Sequence, residues 1–360
     1  MSSITKLVSD TKQANKTFYR TERLEAQTGN DSMKFNYYGI SQFSSIRNTA
    51  SSSTLDRLGF KSEGTNLNLR YQNNTIISDS LFGIKYNLSN FDINKYGFNH
   101  VTSEKTMGLY QNNNASQLAI LTDGIYNNID FTVNTLDNQT SLLNALSGLN
   151  LNYFKRVPSQ LFDQDAKSLN QRVAKNVSNS NKDFVTITYR VIAPPHSQLY
   201  VSVPNISWSD DNNHSLSITV NGVTRNQVTD NTFDFFDLGY FETESMITIK
   251  LSFPGNKAIS FDNPSFYALD TKNYQIAMDT INDRDSKVTT SNNKVFTDYS
   301  SHTNASLFFT IPYDKGWTAT VNNKKVKIHR AQKGFMKVDV PSGKGKVVLT
   351  FIPYGLKIGL

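Results

Sequence analysis

Apolar residues recur at every second position in short runs through most of this chain, and residues that turn a backbone separate the runs. That period is the side-chain alternation of a strand, and runs so short and so closely punctuated fit antiparallel sheets. Leu307, Phe309 and Ile311 alternate with Phe308 and Thr310 as on a half-buried strand, until Pro312 ends the run. Ala319 and Val321 lead into Asn322-Asn323, and Val326 and Ile328 resume the alternation beyond it, which predicts a hairpin because Asn tolerates positive φ. Met336, Val338 and Val340 form another strand, Pro341 to Gly345 a turn, and Lys346 to Ile352 a last strand.

The same grammar governs the middle of the chain. Phe184 to Tyr189, Leu199 to Val203, Leu216 to Val220 before Asn221-Gly222, Phe233 to Leu238, Met246 to Phe253 and Ser265 to Leu269 read as strands of a jelly-roll sandwich resembling galactose-binding-like modules. The first part is mixed. A helical lead-in is expected up to about Asn15, a strand over Phe18 to Leu24, and a helical turn over Ser53 to Leu58 ended by Gly59. Ile76 to Phe82 leads into a strand from Ile84, and Leu118 to Leu121 and Phe131 to Val133 are further expected strands. Asn138 to Ser141 reads as the N-cap of a helix carrying Leu142, Leu143, Leu146 and Leu149, with Gly148 inside it. The fold expected is therefore mainly β with an α+β N-terminal part. Its domains are an α+β segment over residues 1–165, a jelly roll over 166–272 entered through a polar link at Asp163 to Asn181, and a smaller antiparallel sandwich over 273–360.

Composition removes several chemistries. There is no Cys, which excludes disulfides, thiol nucleophiles and Cys-based zinc sites, and five scattered His do not replace them, so no metal centre is expected. Asn, at 41, outnumbers the 30 Asp and Glu together, so the polar surface is largely uncharged. No apolar run approaches the ~20 residues of a membrane helix. The net charge of +7 favours anionic partners. Its densest cluster runs through Lys324, Lys325, Lys327 and Arg330, continuing to Lys333 and Lys337; it lacks interleaved aromatics and a groove-entering helix, so nucleic acid is not the expected partner. A diffuse solubility role for the same charge stays open.

Specific stretches carry a family resemblance. Thr310-Ile311-Pro312-Tyr313-Asp314-Lys315-Gly316-Trp317, Val321 to Val326, Phe335 to Pro341 and Pro353 to Gly359 together resemble the YfhO family of bacterial polytopic membrane proteins, where such a block precedes a final membrane helix. Phe18-Tyr19-Arg20, Asn30-Asp31-Ser32, Tyr38 to Ser45 and Ser80 to Tyr86 agree with the same family. Asn323 stands where the family usually has Gly, a change its tolerance of positive φ makes harmless.

The resemblance implies an extracytoplasmic part of a GT-C-like glycosyltransferase that takes sugar from a polyprenyl-phosphate carrier and decorates cell-wall or lipoteichoic-type polymers of a Gram-positive surface. In such enzymes the catalytic carboxylate lies between early membrane helices, so no catalytic residue and no cofactor are expected in this chain. The implied partners are the membrane-embedded remainder of the same chain and an anionic polymer or glycan. Both chain ends should then leave one side of the molecule. A carbohydrate-binding module without transfer chemistry and a structural ectodomain remain the alternatives.

Candidate contact residues follow from chemistry that suits sugars, namely carboxylates and hydroxyls beside flat aromatic faces. Asp31, Tyr38, Ser41 and Ser44 combine these in one loop-like segment, with Asp31 as a turn cap the plainer reading. Trp208 begins an oxygen-rich loop to His214 that reads as a sugar or calcium loop, or as a plain connection. Asp314 and Trp317 could face a ligand, or Trp317 could be core. Asp79 and Lys85 read as a surface ion pair.

Overall fold

The computed structural model describes residues 2–45, 48–60, 68–71, 74–164, 169–170, 173–174, 184–208, 214–229, 234–254 and 259–358. Most of the expected link from Asp163 to Asn181, and residues 209–213 of the expected loop after Trp208, lie outside them. The chain is mainly β, built largely of antiparallel sheets. It divides differently from three consecutive domains. One compact unit holds residues 1–93, 97–151 and 273–360, and the other holds 94–96 and 152–272.

In the second unit, a five-stranded sheet and a four-stranded sheet enclose one core. Strand Phe184–Ala193 pairs with Ser245–Pro254 over ten positions, from Phe184 opposite Pro254 to Ala193 opposite Ser245. Along Ser245–Pro254 the side chains of Ile247, Ile249, Leu251 and Phe253 enter the core while Met246 stays exposed, as a period of two requires. Asn221 and Gly222 turn His214–Val220 into Val223–Thr229 with φ of 47° and 90°, the two positive values a two-residue hairpin turn needs. Val223–Thr229 and Asp234–Phe241 are edge strands of opposite sheets.

In the first unit, the C-terminal strands form a sandwich of five and four strands. Trp317–Val321 and Lys324–Val326 make the expected hairpin, with Asn322 and Asn323 at φ of 49° and 66°. Ile328 does not continue it, because His329–Ala331 crosses to the other sheet. Strand Ala305–Phe309 is buried on both faces, not half-buried: Leu307 and Phe309 enter the sandwich core, and the opposite face carries Phe308, whose ring lies 5.1 Å from Tyr126 and 6.0 Å from Phe335. The four-stranded sheet is completed by Ala119–Leu121, with Leu121 opposite Leu307. This pairing is one reason the N-terminal and C-terminal parts form one unit.

The remainder of this unit is a four-stranded sheet ordered Arg20–Arg23, Ile84–Ser89, Met107–Asn112 and Phe98–Glu104, of which only the first pair is parallel. Helix Ser3–Ala14 buries Ile4, Leu7 and Val8 in a shared core with Leu88 and Leu109. Two expectations are corrected. Phe131 to Val133 is not a strand, and Val133 is almost wholly exposed. The helix expected from Leu142 begins earlier, as Thr135–Ser147, because Asn134 caps it by accepting from the N–H groups of Leu136 and Asp137. Gly148 ends it at φ 76°. Asn138 and Gln139 are buried and donate to the carbonyls of Arg57 and Leu58, filling structural roles inside the helix.

Candidate functional site

Arg20–Arg23, of sequence Arg-Thr-Glu-Arg, is a strand on which all four residues are buried. Three of them are ionisable, so each head group requires partners that replace water. Arg20 donates through Nη2 to the Thr310 carbonyl at 2.7 Å and through Nη1 to the Phe82 carbonyl at 2.6 Å. Burial lowers its pKa to about 10, so it remains a cation at neutral pH. Glu22 Oε1 accepts from the Ile40 N–H at 2.5 Å and the Ser41 N–H at 2.9 Å, and Oε2 accepts from Ser41 Oγ at 2.9 Å. Desolvation nevertheless pushes its carboxyl up to about 7, the three donors oppose that shift without cancelling it, and nearby Asp79 adds to it. Arg23 lies 3.5 Å from Asp31 in a pair buried on both sides.

One buried strand thus fixes three segments at buried anchor points: Thr310 through Arg20, the 38–41 loop through Glu22, and the 27–31 turn through Arg23. Asp31 is therefore not a contact residue facing solvent. It accepts from the N–H groups of Gln27 and Thr28 and from Thr28 Oγ1, closing the turn that precedes helix Asp31–Phe35. Ser41 is half-buried and engaged with Glu22, and Ser44 is half-buried. Tyr38 is 61% exposed and leans on Phe18 with centroids 4.9 Å apart, and Phe43 is 51% exposed.

Beside the strand, Asp79 is wholly buried and accepts from Tyr71 Oη at 2.8 Å and Asn74 Nδ2 at 2.5 Å. It is not paired with Lys85, which donates to Asn15 Oδ1, so the expected surface ion pair is replaced by a buried polar cluster. Asn87 donates to Tyr71 Oη at 3.1 Å, and burial raises the Tyr71 pKa well above its ordinary value.

The 310–317 turn lies in the same unit. Asn48 Nδ2 donates to the Tyr313 carbonyl at 2.6 Å, and the Arg330 guanidinium lies 4.5 Å from the centre of the Tyr313 ring. Asp314 is exposed, yet its Oδ1 accepts from the Gly316 N–H and so shapes the turn. Trp317 is half-buried and packs on Phe351 at 4.9 Å. Lys324, Lys325, Lys327 and Arg330 are all exposed, with Lys324 and Lys325 on an edge strand of one sheet and Arg330 on an edge strand of the other. Trp208, in the second unit, is 4% exposed and donates from Nε1 to Thr229 Oγ1, which places it in the core and not at a binding loop.

The strand that organises the site, and Glu22 above all, was missed by pattern reading. The signal available was three ionisable residues in four within an expected strand, a run that would be costly to bury unless partnered. Among the described residues no group of three or more His, Asp or Glu could hold a metal ion, and no helix is long and apolar enough to cross a membrane.

These features define a mainly β chain whose surface loops are pinned from inside by buried charges. The chain belongs to the family of bacterial membrane protein YfhO, whose model matches residues 1–360. No curated protein matches it. Among solved structures, a Paenibacillus sp. cycloisomaltooligosaccharide glucanotransferase complexed with cycloisomaltoheptaose is 9% identical, with a TM-score of 0.21 over 52% of this chain and 45% of that one. A ruminal endo-β-1,4-mannanase is 20% identical, with a TM-score of 0.20 over 32% and 26%. A β-galacturonidase from Eisenbergiella tayi is 6% identical, with a TM-score of 0.21 over 56% and 38%. The chain spans less than half the length of each of these three.

Proposed function

We propose that this chain is the part of a polytopic membrane glycosyltransferase that lies on the extracellular face of a bacterial cell membrane and assists recognition of the acceptor. The observation that carries the reading is the match to a membrane-protein family over residues 1–360, in a chain whose described residues include no helix able to span a bilayer. The chemistry of transfer then belongs to the membrane-embedded remainder, which takes the sugar from a polyprenyl-phosphate carrier. The acceptor is an anionic polymer of cell-wall or lipoteichoic type on a Gram-positive surface. Exposed Tyr38 and Phe43 offer flat faces to sugar rings, while Lys324, Lys325, Lys327 and Arg330 offer charge to phosphate-rich chains.

The test is a comparison of surface-polymer glycosylation in cells with the full-length protein, without it, and with Tyr38→Ala combined with Arg330→Ala. Loss of modification without the protein, and a partial loss with the double variant, supports the reading. Unchanged glycosylation when the protein is removed refutes it and leaves a structural role.

A further inference from the structure

Three large apolar side chains within five residues of the first unit are left in water: Ile352 is 38% exposed, Tyr354 51% and Leu356 59%. They lie where the strand Gly343–Phe351 passes into the helix Tyr354–Ile358. The neighbouring 314–317 turn holds this segment in place. Ile352 donates its N–H to the Gly316 carbonyl at 3.1 Å, Trp317 packs its ring on Phe351, and the Lys315 ammonium lies 5.7 Å from the centre of the Tyr354 ring. Lys294, opposite Thr350 in the strand pairing, is exposed at the same end of the sheet.

Apolar surface in water is unfavourable, and exposed apolar groups flanked by cations suit a medium that is apolar within and anionic at its boundary. The composition here has that order. Ile352 and Leu356 are aliphatic, Trp317 and Tyr354 are the aromatic types that settle at headgroup level, and Lys294 and Lys315 have long stems that carry charge away from an apolar layer. The two aliphatic groups lack the flat face on which a sugar ring stacks. Over residues 292–294, 312–318 and 350–356 the one acid is Asp314, whose Oδ1 accepts from the Gly316 N–H, so the local charge is complementary to anionic headgroups. The chain belongs to a membrane-protein family while none of its described helices can cross a bilayer, so any lipid that the described residues meet is met by surface.

We propose that this face of the C-terminal sandwich lies on an anionic lipid surface, with Ile352 and Leu356 entering the acyl boundary, Trp317 and Tyr354 at headgroup level, and Lys294 and Lys315 on lipid phosphates. The contact is peripheral and needs no spanning segment. It shares with the acceptor-recognition reading only a location at a membrane. Vesicle binding is measured without any glycosylation, so either reading can fail alone.

The experiment sediments the 360-residue chain with vesicles of phosphatidylcholine, either alone or with about a third phosphatidylglycerol. Binding is expected to the anionic vesicles, weakening as salt rises, with little to phosphatidylcholine alone. Ile352→Asp combined with Leu356→Asp, both at exposed positions, should lower the partition by more than about tenfold, and Lys315→Glu should lower it by about tenfold. Met33→Asp combined with Phe43→Asp, at other exposed apolar positions of this unit, should leave it unchanged, and replacing Lys324, Lys325 and Lys327 by Ala should weaken it less than the Ile352 and Leu356 pair does. A second readout needs no variant at the face: brominated lipid should quench Trp317, while Trp208, in a core, stays unquenched. That pattern supports the proposal. No binding to anionic vesicles, equal binding to both kinds, binding that the Ile352 and Leu356 pair leaves intact, loss on changing Met33 and Phe43 instead, or an unquenched Trp317 overturns it.

Discussion

Glu22 gives the protein a predicted pH response whose size follows from its surroundings. Burial raises its carboxyl from 4.5 to about 7, so the folded chain holds this proton more tightly than the unfolded chain does. At ~1.36 kcal/mol per unit, a shift of ~2.5 units is worth about 3 kcal/mol. The sign follows from which state binds the proton. Below pH 4.5 both states are protonated and the full contribution is present, and it is lost as pH rises through 7, because the native carboxyl must then ionise away from water. Glu22→Gln keeps an acceptor for the Ile40 and Ser41 amides and nearly the same volume, but it cannot ionise.

The variant should therefore match the parent at about pH 5 and exceed it by up to ~3 kcal/mol at about pH 8. The assay is urea unfolding across that range. Each compact unit contains one of the two tryptophans, so Trp208→Phe as a common background leaves Trp317 to report the first unit alone. Only the difference between the two profiles is read, which removes groups that titrate identically in both proteins. A difference that stays constant from about pH 5 to about pH 8 would show that Glu22 is not held out of water as described.

Other perturbations test the rest of the framework. Asp31→Ala removes three donors' acceptor and leaves Arg23 buried without its counter-charge, and should cost the first unit about 3–5 kcal/mol in urea unfolding; a loss under ~1 kcal/mol would mean that Arg23 reaches solvent. Gly334→Ala should destabilise by about 1–3 kcal/mol, because a Cβ there would lie 2.6 Å from Ser51 Cα and 2.9 Å from the Ala50 carbonyl oxygen; an unchanged unfolding midpoint would mean that the Thr49–Arg57 helix moves aside freely. Binding of a soluble polyphosphate should weaken steeply with added salt and more than tenfold on replacing Lys324, Lys325 and Lys327 by Ala, measured by fluorescence anisotropy; equal affinity for a neutral glycan at every salt concentration would dismiss the basic edge as a polyanion surface.

The mainly β fold, most of its strands and several of its turns were legible because their causes are local. A period of two in Met246 to Phe253 specifies one buried face whatever it packs against, and Asn221-Gly222 and Asn322-Asn323 accept the positive φ of a hairpin turn without help from distant residues. The family likeness was legible for a related reason, since it resides in contiguous text such as Thr310 to Trp317. Reading failed where a short-range signal was outweighed. Asn138-Gln139 look like a cap, but Asn134 takes that role, while the two amides reach across to Arg57 and Leu58.

What the sequence could not reveal is which polar residues leave water. Trp208, in a stretch of Ser, Asp and Asn, reads as a loop residue, and only the closing of two sheets around it makes it core. Arg20, Glu22 and Arg23 fall inside the expected strand Phe18 to Leu24, and nothing next to them in the chain can replace their hydration. Their partners come from Thr310, Ile40, Ser41 and Asp31, and those groups reach the strand only when the loops and the C-terminal sandwich fold back on it. Periodicity and turn chemistry act between neighbours and are written into the chain, whereas desolvation of a charge depends on every group that crowds it, and that crowd exists only in the folded structure.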